Sequence, residues 1–300
     1  MTNIKKVVLV STFHNLLTKH ACLRHVLHIG AYVLALLFHM GATTLTTLFC
    51  VYRCHFDLML TYEAASLVWA IVICALLNGL SIFKTTKEQL HISWDIYKPM
   101  IFISMVSAAL SIPMLLHDSI TSHVCQSVMY QMILCIGIGF SEEVLFRGVL
   151  FHGCLKIFSA HKHKLFLSCI VVSLVFGAFH IPWNQIDLSD TIQLAQIVGK
   201  IVQTGLCSIL LCLVVYKTKS IVGASLLHAL DDFIVMIIPF GILGQPVSTD
   251  YVVKGTDGVS LSIFYTILIV IYIVPVIRGI KCYKRILEPA CAPAQQKFFS

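Results

Sequence analysis

The sequence predicts an all-α protein, a polytopic transmembrane helical bundle of about eight spans. Three observations lead there. The chain is 58% hydrophobic and only 12% charged, whereas soluble domains carry roughly 25% charged residues. Eight stretches approach the ~20 mostly apolar residues that a membrane-crossing helix needs. The basic residues collect in alternate loops between those stretches.

The apolar stretches cover residues 29–51, 62–83, 99–117, 131–156, 165–181, 192–216, 220–242 and 258–278. With the N-terminus in the cytoplasm, one face holds Lys5, Lys6, Lys19, Arg24, Lys84, Lys87, Lys98, Lys156, Lys162, Lys164, Lys217, Lys219, Arg278, Lys281, Lys284, Arg285 and Lys297. The other face holds only Arg53 and Lys254, and Arg147 and Lys200 fall inside spans. Cytoplasmic loops of membrane proteins carry this excess of Lys and Arg. Eight spans with both termini cytoplasmic satisfy it, and one span more or fewer would scramble it. The expected organisation is a cytoplasmic segment over 1–28, an integral bundle over 29–283 and a cytoplasmic tail over 284–300. The cell (inner) membrane is the expected location. There is no internal repeat, low-complexity tract or long linker.

Composition also excludes function classes. The net charge is +7, yet the basic residues sit in short loops as topology signals, so nucleic acid is not an expected partner. The twelve cysteines lie mostly inside apolar runs, where free thiols behave as small hydrophobes. Without a CxxC, neither a cysteine zinc site nor a redox motif is expected. Lys5 and Lys6 precede the apolar run Val7–Val10, which is too brief for a typical signal peptide. His25, His28, His39, His161 and His163 read as interfacial or topogenic, and Trp69, Trp94 and Trp183 as interface anchors.

Ionisable residues at membrane depth are costly and are functional suspects by default. Three clusters qualify. In 131–156 the chain runs Gly137, Gly139, Ser141, Glu142, Glu143, then Arg147 and Gly148. The small residues let a neighbouring helix come close. Glu143 and Arg147 are spaced i,i+4 and can pair on one face. Glu142 lies about 100° round the helix and is left free for chemistry. The second cluster is Phe176-x-x-x-His180, ended by Pro182, which stops the helix. The third is His228-x-x-x-Asp232, an imidazole and a carboxylate on one face.

A glutamate held among helices can serve as a general base near neutral pH. Two histidines and an acid can polarise a carbonyl, stabilise an oxyanion or hold a metal. Hydrolysis of a peptide bond by activated water suits this set. Ser141 and Ser225 lie nearby but lack a nucleophile-elbow context. Read conservatively, Glu143 with Arg147 is only a structural ion pair, His180 a helix end, and His228 with Asp232 an interhelical tie.

The order EExxxR, FxxxH, HxxxD/N resembles the CAAX prenyl protease type II family, the Ras-converting-enzyme-like and bacteriocin-immunity-like intramembrane proteases. The resemblance covers about residues 130–240. It implies an endopeptidase whose site lies in a bundle cavity opening to the cytoplasm. It also implies roles: Glu142 as the water-activating base, Glu143 and Arg147 as the supporting pair, and His180 and His228 as catalytic histidines. Asp232 stands where the family has Asn or Asp, and as Asp it adds a negative charge that favours a shared proton or a bound cation. A divalent metal such as zinc on Glu142, His180 and His228 stays open beside a metal-free glutamate mechanism. HExxH is absent, so zincin geometry does not apply. The expected partners are the lipid bilayer and a peptide or membrane-protein substrate.

Two other readings use the same residues. One is a catalytically silent scaffold or immunity-type peptide binder. The other is a small proton-coupled transporter, to which Lys200 lends some support and the lack of an inverted repeat none. One geometric demand is common to all. For upright helices between basic loops, His180 and His228 would differ in depth by about 10 Å.

Overall fold

The computed structural model describes residues 21–246 and 251–287. The described residues form helices joined by short connections and contain no strand. Helix α1 (Ala21–Cys54) and α2 (Leu58–Asn78) pack together as a hairpin. Asp57 caps α2 by accepting from the Leu60 amide at 2.9 Å. Helix α3 (Lys87–Leu110) opens with a reciprocal capping box between Thr86 and Gln89. A short turn, α4 (Met114–His117), then leads into α5 (Val124–Glu143).

The predicted span 131–156 is not one regular helix. After Glu143 the chain widens into a π-helical segment over Val144–Phe151 and returns to α geometry in α6 (His152–Ile157). Such π segments cluster at functional sites, because one extra residue per turn re-aims the side chains that follow. Helix α7 (Lys164–Phe179) is 16 residues long, short for an upright span. Helix α8 (Thr191–Thr218) is capped by Asp190 and ends with Lys219 in the left-handed region at φ 57°. Helix α9 (Val222–Met236) continues into a second π segment over Ile237–Ile242. Helix α10 (Gly255–Leu287) closes the bundle.

Six of these helical stretches are long and apolar enough to cross a membrane: 26–54, 58–78, 87–117, 191–218, 222–242 and 255–285. The other two predicted spans are the segmented run 124–157 and the short α7. Every predicted stretch thus falls on helix, in an integral membrane protein. The predicted ends shift: α1 begins at Ala21 and α10 reaches Leu287, inside the segments assigned to head and tail. Residues 1–20 and 288–300, with Lys5, Lys6, Lys19 and Lys297, lie outside the described residues.

Apolar side chains such as Leu76, Leu110 and Leu116 point outward, as lipid-facing helices require. The buried core instead gathers Tyr97, Met100, Val144, Phe146, Phe151, Phe176, Leu210 and Leu211. Helix association in lipid relies on close packing rather than on a hydrophobic drive. Two glycines provide it beside the polar cluster. A Cβ on Gly139 would sit 2.7 Å from the Ser225 carbonyl oxygen, so this glycine lets α9 cross α5. A Cβ on Gly177 would sit 2.6 Å from the Ile201 carbonyl oxygen, so α7 lies directly on α8. His39 differs from its interfacial expectation: it is buried between α1 and α2, its Nε2 3.1 Å from the Ser66 carbonyl oxygen.

Candidate active site

The polar cluster is built where α5, its π extension, α7, α8 and α9 meet. Glu143 and Arg147 are sealed, both side chains 0% exposed, with Oε1 2.7 Å from Nη1. Arg147 also donates from Nη2 to Ser208 Oγ on α8 at 2.9 Å. Its guanidinium stacks 4.4 Å from the Phe176 ring centroid, a cation–π contact that a dry site strengthens. An unpaired charge could not be held at this depth. One arginine therefore ties together α5, α7 and α8.

His228 links this sealed pair to a more open side. Its Nδ1 lies 2.9 Å from Glu143 Oε1. A carboxylate only accepts, so Nδ1 carries the donated proton. The opposite nitrogen, Nε2, then faces Glu142 Oε2 at 3.7 Å and Asp232 Oδ2 at 3.6 Å. Those separations exceed a direct hydrogen bond and suit a bridging atom. The Glu142 and Asp232 side chains are 27% and 24% exposed, so this side is less tightly enclosed than that of Glu143. Glu142 Oε2 itself is shielded and has no hydrogen-bond partner.

His180 caps the end of α7, with Nδ1 2.8 Å from the Phe176 carbonyl oxygen. Its ring packs edge-on against Phe176 at 4.8 Å, and the His228 ring meets the same Phe176 at 6.0 Å. The two imidazoles thus flank one aromatic ring despite the depth difference expected for upright helices. His180 makes no direct contact with the acids among the described residues. No group of three or more His, Cys, Asp or Glu side chains among the described residues is arranged to hold an ion.

Several neighbours were missed from sequence. Glu63 on α2 accepts a 2.6 Å hydrogen bond from Ser141 Oγ, one residue before Glu142. An acid inside the apolar stretch 62–83 was the available signal. Ser208 was invisible, because a serine in an apolar helix is ordinary. Asp231, adjacent to Asp232 but on another helix face, is held by the Tyr97 and Ser104 hydroxyls of α3. It anchors α9 rather than joining the cluster. Tyr251 lies beside His180, ring centroids 6.2 Å apart, and beneath Lys200 Nζ at 3.9 Å. Burial, followed by the nearby Asp232 and Glu142 charges, pushes its phenol up to about 12, so it stays neutral.

A separate cavity of about 510 Å³ lies at the start of α5, lined by Met59, Gln126, Tyr130, Gln131, Phe240 and Pro246 among others. From Gln131 to Glu142 is about 16 Å along the helix, so this cavity does not include the cluster.

Residues 124–234 match the family model described as type II CAAX prenyl endopeptidase, Rce1-like. No curated protein and no solved structure matches the chain. The matched stretch contains Glu142, Glu143, Arg147, His180, His228 and Asp232, and leaves out Glu63 and Tyr251. The family points to a membrane-bound protease. The three motifs thus fall within the stretch, residues 124–234, that is similar to Rce1-like type II CAAX prenyl endopeptidases.

Proposed function

We propose that this protein is an intramembrane endopeptidase that hydrolyses a peptide bond in a membrane-associated peptide or protein tail, using water activated by Glu142. The observation that carries the reading is the position of His228, oriented by the sealed Glu143–Arg147 pair and facing the half-open Glu142 and Asp232. Glu142 takes a proton from water as the oxygen attacks the scissile carbonyl carbon. Negative charge moves to the carbonyl oxygen. His228 Nε2, when protonated, is the donor for that oxyanion, while His180, whose Nδ1 donates to the Phe176 carbonyl oxygen, turns Nε2 to the site as an acceptor. Glu142 then returns the proton to the amide nitrogen, the C–N bond breaks, and acid and amine products leave. Glu143 and Arg147 are positioning residues, because they act through His228. Asp232 steadies the outer side of the imidazole. The positive-inside bias supports cytoplasmic termini, and the cell membrane is the location that goes with this reading.

The test uses purified full-length protein in lipid nanodiscs and a fluorescence-quenched S-farnesyl peptide ending in a CAAX-type tail, beside its unprenylated twin. Wild type is expected to cleave at least one of them. Glu142→Gln and Glu142→Ala should lower turnover by about 100-fold or more, the usual size of a general-base contribution. Unchanged turnover in both variants would remove Glu142 from the chemistry. No cleavage of either peptide, with the fold intact, would favour a silent peptide-binding relative.

A further inference from the structure

Lys200 lies inside α8, and among the described residues it has no carboxylate within ion-pair distance. Its ammonium instead rests 3.9 Å from the Tyr251 ring centroid. An ammonium has three donors and no acceptor, and a ring face satisfies none of them as an oxygen would. The other cation of the site, Arg147, is already committed to Glu143 and Ser208. Lys200 is nonetheless within electrostatic reach of Glu142 and Asp232 on one side and of His180 on the other.

The ring beneath it is held deliberately. Gln196, one turn earlier on α8, bonds Val253 twice: Nε2 donates to its carbonyl at 2.9 Å and Oε1 accepts from its amide at 2.7 Å. Tyr265 on α10 donates to the Tyr251 carbonyl at 2.9 Å. Gly258 makes the room, since a Cβ there would lie 2.6 Å from the Val253 carbonyl oxygen and 2.7 Å from Gln196 Nε2. Tyr251 and Val253 are therefore tied to α10 and α8, with the Tyr251 ring 6.2 Å from His180. A fixed aromatic floor and a cation with unused donors make a site for an oxyanion of the ligand, with the His180 ring marking its edge.

We infer that Lys200, floored by Tyr251 and flanked by His180, is a substrate-recognition residue that binds a carboxylate on the peptide being cleaved. The inference rests on the peptidase reading and deepens it. A carboxylate matches the ammonium in charge and offers the oxygens it lacks. Two sources share that chemistry, the C-terminal carboxylate of a tail and an acidic side chain near its end.

Binding, rather than turnover, tests it. Glu142→Gln protein in nanodiscs is titrated by fluorescence anisotropy with a dansyl-labelled S-farnesyl tetrapeptide. The peptide is used as the free acid, as the C-terminal amide, and as an amide whose last residue is Glu. Expected is at least tenfold tighter binding of one or both carboxylate forms over the plain amide. Adding Lys200→Arg should keep that selectivity, and Lys200→Met should reduce it to about one. Tyr251→Leu should give an intermediate value, and it serves as the second variant if Lys200→Met fails to fold. No selectivity before Lys200 is altered, no binding of any form, selectivity that survives Lys200→Met or, in its place, selectivity undiminished by Tyr251→Leu would overturn the inference. Selective binding combined with no hydrolysis by the Glu142-bearing protein would instead retain the subsite and sink the peptidase reading. The acid and Glu-amide peptides identify which carboxylate is read.

Discussion

Glu142 and Glu143 are adjacent in the chain and opposite in environment. Glu143 is sealed against Arg147 and the Nδ1 edge of His228. Glu142 is partly exposed beside the Nε2 edge of the same ring. One helical step separates a carboxylate that holds the site from one that is partly exposed. The comparison teaches that a helix can deliver two identical side chains to two roles, provided a third residue from another helix stands between them. His228 is that residue, and Gly139 lets its helix approach closely enough to do so.

The largest expected effect comes from breaking the sealed side. Arg147→Ala leaves the Glu143 carboxylate buried without its partner, and removing one half of a buried pair costs about 3–5 kcal/mol. Thermal unfolding in detergent should show a large drop. The double variant Glu143→Leu with Arg147→Met removes both charges and should recover most of that stability. Turnover should stay low in it, because His228 has lost its orienting partner. Recovery of activity together with stability would make the pair purely structural.

A smaller effect tests the approach to the open side. Glu63→Ala removes the acceptor for Ser141 Oγ, and a hydrogen bond of this kind contributes about 1 kcal/mol. Glu63→Gln keeps an acceptor there and should behave nearly as wild type. A several-fold loss of kcat in the alanine variant alone would show that Ser141 helps set the Glu142 backbone. Equal losses in both would assign the effect to the Glu63 charge instead.

The smallest effect is expected on the outer rim. Asp232→Asn keeps the shape while removing a charge that is 24% exposed and 3.6 Å from the imidazole. Partly exposed pairs of this kind contribute little, and the resembling family accepts either residue there. Peptide turnover should stay within about tenfold of wild type. A loss as large as that of Glu142→Gln would move Asp232 from the rim to the centre of the chemistry.

Much of the fold was legible because hydrocarbon imposes a simple rule. A backbone in lipid must satisfy its own hydrogen bonds, so long apolar runs become helices. The stretches at 192–216 and 258–278 fell on α8 and α10 for that reason. The break after Glu143 was not legible, since Val144–Phe151 reads as an ordinary apolar helix and its π widening depends on what packs around it. Glu142, Glu143 and Arg147 stood out because charges inside apolar runs are rare. Glu63 obeyed the same rule and was still missed, for it had no motif beside it. Ser208, Gln196 and Tyr251 carried no signal, because their partners lie on other helices.

The chain alone determined that this protein is a helical membrane bundle and which few polar residues lie within its spans, since both follow from transfer free energies that act residue by residue. Only the tertiary structure decided which carboxylate is sealed, which is partly exposed, and that Lys200 rests on Tyr251. Those outcomes depend on distances between helices far apart in sequence, set by glycine contacts and hydrogen bonds that no local pattern encodes.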